Sequence, residues 1–574
     1  MKITLEPVEV AQKLREIGRL LELAGENQFK VRAYDKGASS LEAVRDPLDV
    51  LVREKRLTEL PGIGAALAAQ IEELSATGTS KVLDELRAKF PPGIIELSKV
   101  RGIGLSTLRE VHEKLGIATI DELKRAAEEG RIRVLPGFGA KREAKILEAL
   151  ERHEIAEASL LLSEGLEAAR AFEAALDPKS GVTAVHLSGP QRRFIEVTDR
   201  VVVIAEGNDP KAVIDAVAAM PGVVESQDET TCTKRLPDNT KIEVVACTRE
   251  QTPTTLAAHS SSAAHFDKLV AHAKDKGLRL EAAGLFDAKT GKRVSLDDEA
   301  SLYAALGLSF VPPELRENDG EIERAARGDV FDLVALSDVK GFVHCHSTWS
   351  DGKGTIEEMA RAAKERGASY LTVTDHSKTA QYAGGLDRDR LERQWEEIAR
   401  VEETVGIRLL RGTEADILAD GALDFPDAIL EKLDVVIASI HQRHGQDEAQ
   451  MTDRLVRAMR HPCFKIWGHP LGRLLTSRPP VAARVEEVLD ALASSRGAIE
   501  INGDPKRLDI EPKWGKAARE RGIPFVLSVD AHSVRELVNT RYAVGLARRA
   551  YVTSRDVLNT RDADAFALAV RPTG

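Results

Sequence analysis

Residues 341–352 read GFVHCHSTWSDG, an apolar run that closes on two histidines one residue apart and then an aspartate. Alternate side chains of an extended strand share a face, so His344 and His346 point one way and Cys345 the other. Two imidazoles are thereby aimed at one place. Further apolar runs follow, YLTVTDHS, IRLLRGTEADI, DVVIASIHQ, FKIWGHP, AIEING and PFVLSVDAHS, separated by amphipathic helical segments, and each ends in polar residues. This alternation predicts a parallel β/α barrel, whose active site lies where the βα loops gather at the strand C-termini.

Reading those ends gives His344, His346, Asp351, His376, Glu414, His441, His469, Asp530 and His532. Imidazoles and carboxylates are costly to bury without partners, so their convergence on one mouth predicts metal ligands. Mixed nitrogen and oxygen donors favour zinc, manganese or iron over magnesium. Such ions polarise phosphoryl oxygens and activate water at neutral pH. Among their neighbours, Cys345 and Cys463 are expected to pack in the core, Asp375 to support His376, and His444 to sit in a solvated loop. Arg473, with Arg443, is expected to hold a phosphate, for which a guanidinium is suited. Asn502 stands at a strand end with its role open.

The 574 residues exceed what one core holds, and 43% hydrophobic with 30% charged residues is the balance of a globular protein. No apolar window is long enough for a membrane span. The segment MKITLEPVEVAQKLREIG carries charges where a signal peptide needs an apolar core, and four cysteines are too few for a disulfide framework. A cytoplasmic monomer is expected. The net charge of -11 does not exclude nucleic acid, because backbone amides contact phosphates without basic residues.

One short pattern recurs in the first third: Leu60-Pro61-Gly62-Ile63-Gly64, Val100-Arg101-Gly102-Ile103-Gly104 and Leu135-Pro136-Gly137-Phe138-Gly139. Each precedes a helical run with apolar residues at three- and four-residue spacing. Paired glycines permit a tight turn, the apolar residue between them plugs the core, and the amides opening the next helix face outward as an anion site. This is the helix-hairpin-helix pattern, with Gly62, Gly64, Gly102, Gly104, Gly137 and Gly139 against DNA phosphates.

The middle third adds GPQRRFIEVTDRVVVIAE from Gly189, KIEVVAC from Lys241 and LYAALGLSFVPPELRENDGEIERA from Leu302. In this order, after the hairpins, these segments resemble the bacterial family X DNA polymerases. The resemblance implies a nucleotidyltransferase-type palm with Gly189, Arg192 and Arg193 against a triphosphate. It also implies aspartates spaced D-x-D and a third on the next strand, which clamp metal ions in an in-line displacement. Pro190 replaces the turn's serine, Asp199 is followed two positions on by Val201, and Glu243 takes the third place. Asp199 and Glu243 remain as catalytic carboxylates for one manganese or magnesium ion. The family's aromatic sugar-binding stretch corresponds to residues 258–262, AHSSS, and the lysine of its lyase members to Gln70, so no Schiff-base chemistry is expected there.

The barrel pattern HxH, SDG, TDH, GTE, SIH, GHP and DAH resembles the PHP phosphoesterase domain fused to those polymerases, with every ligand position present. That implies a distorted (β/α)7 barrel holding up to three zinc or manganese ions. The expected fold is multidomain, α+β and α/β. It comprises an N-terminal helical domain with the first hairpin (1–80), a fingers-like helical domain (81–155), the palm (156–250), a thumb-like region (251–318), a linker (319–340) and the barrel (341–574). The expected function is a DNA-binding repair enzyme whose barrel is a metal-dependent 3′–5′ exonuclease on gapped duplexes or 3′ ends. Two alternatives are a manganese-dependent gap-filling polymerase using dNTPs with the barrel as proofreader, and a DNA-binding scaffold whose barrel hydrolyses a small phosphate ester.

Overall fold

The computed structural model describes residues 5, 7–42, 48–60, 62–100, 102–157, 159–176 and 181–572. The chain forms two compact units, Met1–Ala158 and Ser159–Gly574. No helix among the described residues is long and apolar enough to cross a membrane.

The first unit is helical. Pro61 and Arg101 of the hairpin motifs lie outside the described residues. Gly62, Gly102 and Gly137 take φ of 79°, 94° and 83°, the left-handed region that glycine enters without steric cost. Ile63, Ile103 and Phe138 are buried between them. The helices that follow are α1 (Ala65–Thr77), α2 (Leu105–Leu115) and α3 (Ala140–Glu157). Gly64 and Gly104 cap α1 and α2 without a side-chain hydrogen bond, which leaves first-turn amides unclaimed by the chain. In the third hairpin, buried Glu143 accepts from the amides of Ile132 and Arg133 and from Arg133 Nε, which ties the turn to its helix.

The second unit begins with a five-stranded sheet in the order β1-β2-β5-β4-β3: β1 (Val182–Leu187), β2 (Val201–Gly207), β3 (Val223–Gln227), β4 (Thr231–Arg235) and β5 (Lys241–Cys247). The VVVIAEG of β2 is buried throughout, as a central strand between antiparallel β1 and parallel β5 must be. The following helices pack around Arg316 of the PPELREN segment, which is fully buried. Its guanidinium donates to Val311 O at 2.9 Å and pairs with Glu299 at 2.5 Å, with the Tyr303 ring 5.3 Å away.

The barrel closes from seven parallel strands in sequence order: β6 (Gly341–Cys345), β7 (Tyr370–Val373), β8 (Arg408–Asp416), β9 (Val435–Ser439), β10 (Ile466–Trp467), β11 (Ala498–Asn502) and β12 (Phe525–Ala531). Val343, Leu410, Ile437, Ile466 and Val526 fill its interior, with Phe566 and Val570 of the C-terminal helix packed among them. Closure is irregular: β6 pairs with β12 through Val343–Ser528 and Cys345–Ala531, and the register shifts at His344, whose φ is 62°. Val343 and His344 therefore both face inward, while Cys345 packs outside against Ile356 and Met359. From His344 to His346 the side chains alternate in, out, in, as expected, and the irregularity lies between Val343 and His344.

Glu299→Ala would leave the Arg316 guanidinium buried without its counter-charge, and a loss of about 3–5 kcal/mol in urea unfolding is expected. A loss below about 1 kcal/mol would mean that the pair does not hold this region.

Candidate metal centre

At the C-terminal ends of the barrel strands the Glu414 carboxylate is completely enclosed by imidazoles. His469 Nε2 lies 2.8 Å from it, His376 Nδ1 2.9 Å, His441 Nε2 3.1 Å, His344 Nε2 3.3 Å and His346 Nε2 3.6 Å. Asp530 stands 3.0 Å from His346 and 3.3 Å from His344. Asp351 stands 3.3 Å from His532 and 3.5 Å from His376. All nine side chains read from the strand ends are thus brought together. Eight of them fall into three groups whose ligand atoms lie within 4.8 Å of one another: His344, His346, Glu414 and Asp530; His376, Glu414 and His441; and His346, Asp351, His376 and His532. His469 joins them through Glu414.

Several of these atoms are buried with no hydrogen-bond partner: His344 Nε2, both ring nitrogens of His346, His376 Nδ1, Glu414 Oε2 and Asp530 Oδ1. Buried polar atoms left unpaired are expensive, and here they converge. The donor set fits divalent ions. Three of the nine residues, His344, His469 and Asp530, have positive φ, strain that is tolerated where the surroundings dictate one conformation.

The charges answer one another. Burial disfavours the Glu414 carboxylate, but His441, His344 and His376 around it hold its pKa well below the ordinary range. Burial also acts against the His532 cation, yet the neighbouring Asp351 and Asp530 raise it to about 9. His346 goes the other way, lowered by burial and by His532 and His376 beside it.

Support comes from carboxylates behind the ligands. Glu500 of β11 accepts from His344 Nδ1 at 2.6 Å, from Ser528 Oγ and from the His469 amide, and Asn502 Nδ2 donates to it at 3.2 Å. Asp416 bonds His441 Nδ1. With Nδ1 so occupied, Nε2 of both rings is turned to the cluster. Asp375 accepts from the Ser347 amide at 2.8 Å, the Ser350 amide at 3.1 Å and Gln394 at 2.6 Å, and so fixes the loop that carries Asp351. Glu500 and Asp416 escaped the reading of strand ends, although an acid in AIEING and a second acid two residues after Glu414 are both visible in the sequence.

Other expectations are corrected. Arg473 is not at the mouth. Its head is buried and committed to Arg507 O at 3.0 Å, Leu508 O and Glu196. The guanidinium beside the cluster is that of Arg507, with Nε 3.9 Å from Asp530 and a buried Nη1 that lacks a partner. Arg443 is exposed, and His444 is half-buried and neutral, its pKa lowered to about 4 by burial and Arg478. Cys463 is buried. Tyr382 is 68% exposed with its ring centroid 6.1 Å from His376 and 6.4 Å from His441, at the edge of the mouth.

The palm is different. Ile204 clusters with Val245 and Cys247 on one face of the sheet, while Val201, Val203, Ile242 and Val244 pack on the other. Alternation therefore places Val202, not Val201, beside Glu243, and Arg200, just before the strand, reaches the same carboxylate. Arg200 Nε lies 3.0 Å from Glu243, and its Nη1 lies 3.4 Å from the largely exposed Asp199. A guanidinium stands between the two acids where a manganese or magnesium ion was expected. Gly189 has φ 64°, and a β-carbon there would meet Val202 at 2.7 Å. Arg192 pairs with Glu299 at 2.5 Å and donates to Ser260 at 3.0 Å, and Arg193 pairs with Glu317 at 2.8 Å, so both expected triphosphate ligands are engaged within the chain.

Residues 8–80 match a helix-hairpin-helix domain, 94–152 a SAM-like helix-hairpin-helix tandem, 255–317 a DNA polymerase beta thumb and 343–504 a PHP domain. The chain is 30% identical over 235 residues to a probable phosphatase of Thermoanaerobacter sp. (strain X514), covering 38% of this chain and 89% of that protein. It is also 30% identical over 222 residues to one of Caldanaerobacter subterraneus, covering 36% and 81%. To the DNA polymerase/3′-5′ exonuclease PolX of Bacillus subtilis it is 32% identical over 566 residues, 97% of this chain and 98% of that one. With hairpins, thumb and PHP barrel in that order and likeness end to end, the chain belongs to the PolX family of polymerase/exonucleases.

Proposed function

We propose that the barrel is a metal-dependent 3′–5′ exonuclease acting on DNA ends and that the palm serves as a clamp, not as a polymerase. One contrast carries this reading: a cluster of unpartnered, convergent ligand atoms at the barrel mouth, against a palm face filled by Arg200 and Val202. The hairpins, with Gly62, Gly64, Gly102, Gly104, Gly137 and Gly139 at their turns, would hold the duplex by its phosphates. The printed name of the Bacillus subtilis relative joins both activities, and the barrel's likeness to probable phosphatases favours hydrolysis.

The three ligand groups would hold zinc or manganese, with Glu414 shared between the first two. Ions so held supply Lewis acidity toward the phosphodiester and an activated water. The chain's own residues do the rest. Glu500 and Asp416 keep the rings of His344 and His441 in one orientation. Arg507 offers its unpartnered Nη1 to a phosphate oxygen, and Tyr382 offers an exposed ring on which a terminal base can stack.

On 3′-labelled DNA, Glu500→Gln should slow digestion by about 10–100-fold and His344→Ala by more. Digestion by His344→Ala at the wild-type rate would refute the assignment. On a gapped primer little templated dNTP addition is expected. Strong addition abolished by Glu243→Ala would instead make the palm a working polymerase.

Metal uptake should release protons. A ligating imidazole must be neutral, whereas metal-free His532 is protonated up to about pH 9. Raising the pH toward that value removes the competing proton, so apparent affinity should climb with pH and level off above it. Titration calorimetry in buffers of different ionisation enthalpy reads the protons directly, and a heat independent of buffer would contradict the expectation.

A further inference from the structure

The barrel also has a cleft at the end opposite the ligand cluster. Lys465 immediately precedes β10 and His469 follows it, so Lys465 lies at the N-terminal end of the barrel strands, opposite the ligand cluster. There the C-termini of two outer helices, α4 (Glu448–Met459) and α5 (Val485–Ala493), border a cleft of about 650 Å³. Arg460, Lys465 and Arg496 line it together with His461, Glu487 and Asp490.

Lys465 is the informative residue. It is 3% exposed, and its ammonium makes no hydrogen bond or ion pair among the described residues. Burial and the nearby Arg496 guanidinium push its pKa down, the state of a cation that lacks a counter-charge. A lysine placed only to answer a helix C-terminus donates to a terminal carbonyl, and Lys465 donates to none. Arg460, exposed at the end of α4, likewise has no side-chain partner among the described residues.

The acids in the lining do not supply the missing charge. Glu487 is held at 2.7 Å by Arg484, and Asp490 at 2.7 Å by Arg521, two arginines outside the lining. His461 is committed as well, with Nδ1 accepting from the Cys463 amide and Nε2 3.3 Å from Asp427. The cleft therefore presents two cations, Lys465 and Arg460, without a side-chain partner among the described residues, in a volume within the range of about 300–1,000 Å³ usual for small-ligand sites.

We propose that this cleft binds a phosphate monoester or inorganic phosphate through Lys465 and Arg460, with Arg496 beside them. Guanidinium and ammonium groups suit a compact dianion, and a nucleotide-sized ligand fits the volume. This site does not depend on the nuclease reading, because none of its residues belongs to the ligand cluster.

Thermal unfolding of the full chain tests it, with inorganic phosphate and a deoxynucleoside 5′-monophosphate titrated separately against chloride at matched ionic strength. Either ligand is expected to raise the wild-type Tm by about 2 °C or more. Lys465→Met should lose most of that rise and Arg460→Gln part of it, while digestion of 3′-labelled DNA stays at the wild-type rate. The ion cluster also attracts phosphate, so the difference between wild type and variants is the readout. A larger shift with the nucleotide assigns a nucleotide site, and equal shifts assign one for phosphate alone. No wild-type shift, or full wild-type shifts in both variants, overturns the proposal. If Lys465→Met does not fold, Arg460→Gln carries the comparison.

Discussion

The barrel mouth depends on one carboxylate that has no water to turn to. Glu414 is 1% exposed and surrounded by imidazoles within hydrogen-bonding or ion-pairing reach. A lone buried carboxylate would cost several kcal/mol, so every ring around it is part of the condition for burying it. The same condition accounts for the layer behind. Glu500 and Asp416 compensate His344 and His441, and Ser528 and Asn502 in turn satisfy Glu500. Charge is neutralised shell by shell outward until the apolar wall of the barrel is reached.

That enclosure also explains the backbone. His344, His469 and Asp530 adopt conformations that L-residues avoid, each at or next to a strand end where its side chain must turn inward. A bulge at His344 lets β6 contribute consecutive residues to the interior, which regular pleating forbids.

The palm makes close contacts with the barrel. Its Gly189–Glu196 segment, where a triphosphate-binding turn was expected, is tied to the barrel: Glu196 lies 2.7 Å from Arg549 and 3.3 Å from Arg473, and a β-carbon on Gly545 would overlap the Phe194 ring. Burial opposes the Glu196 charge, but Arg549 and Arg473 outweigh it and lower its pKa. Arg473 is thus a brace between palm and barrel, and Arg192 and Arg193 are braces within the palm and thumb region. The Arg200 guanidinium lies between Asp199 and Glu243.

The chain's order of elements, the hairpin turns and the convergence of nine candidate ligands at the barrel mouth were legible in the amino-acid sequence, because each rests on short-range rules. Glycine pairs mark turns that need positive φ, apolar period marks strands and helices, and polar residues at strand C-termini mark the mouth. What lies behind the ligands, and which arginine faces them, was settled only by the tertiary structure. Arg473 and Arg507 are both plausible phosphate ligands by type and position, and their separation depends on loops folding back from β10 and β11. Likewise Val201 and Val202 are adjacent in the chain, and which of them meets Glu243 follows from the register of β2 against β5, a pairing between residues some forty positions apart. Contacts of that range leave no trace in local pattern, since a one-residue change of register exchanges every face while the sequence reads the same.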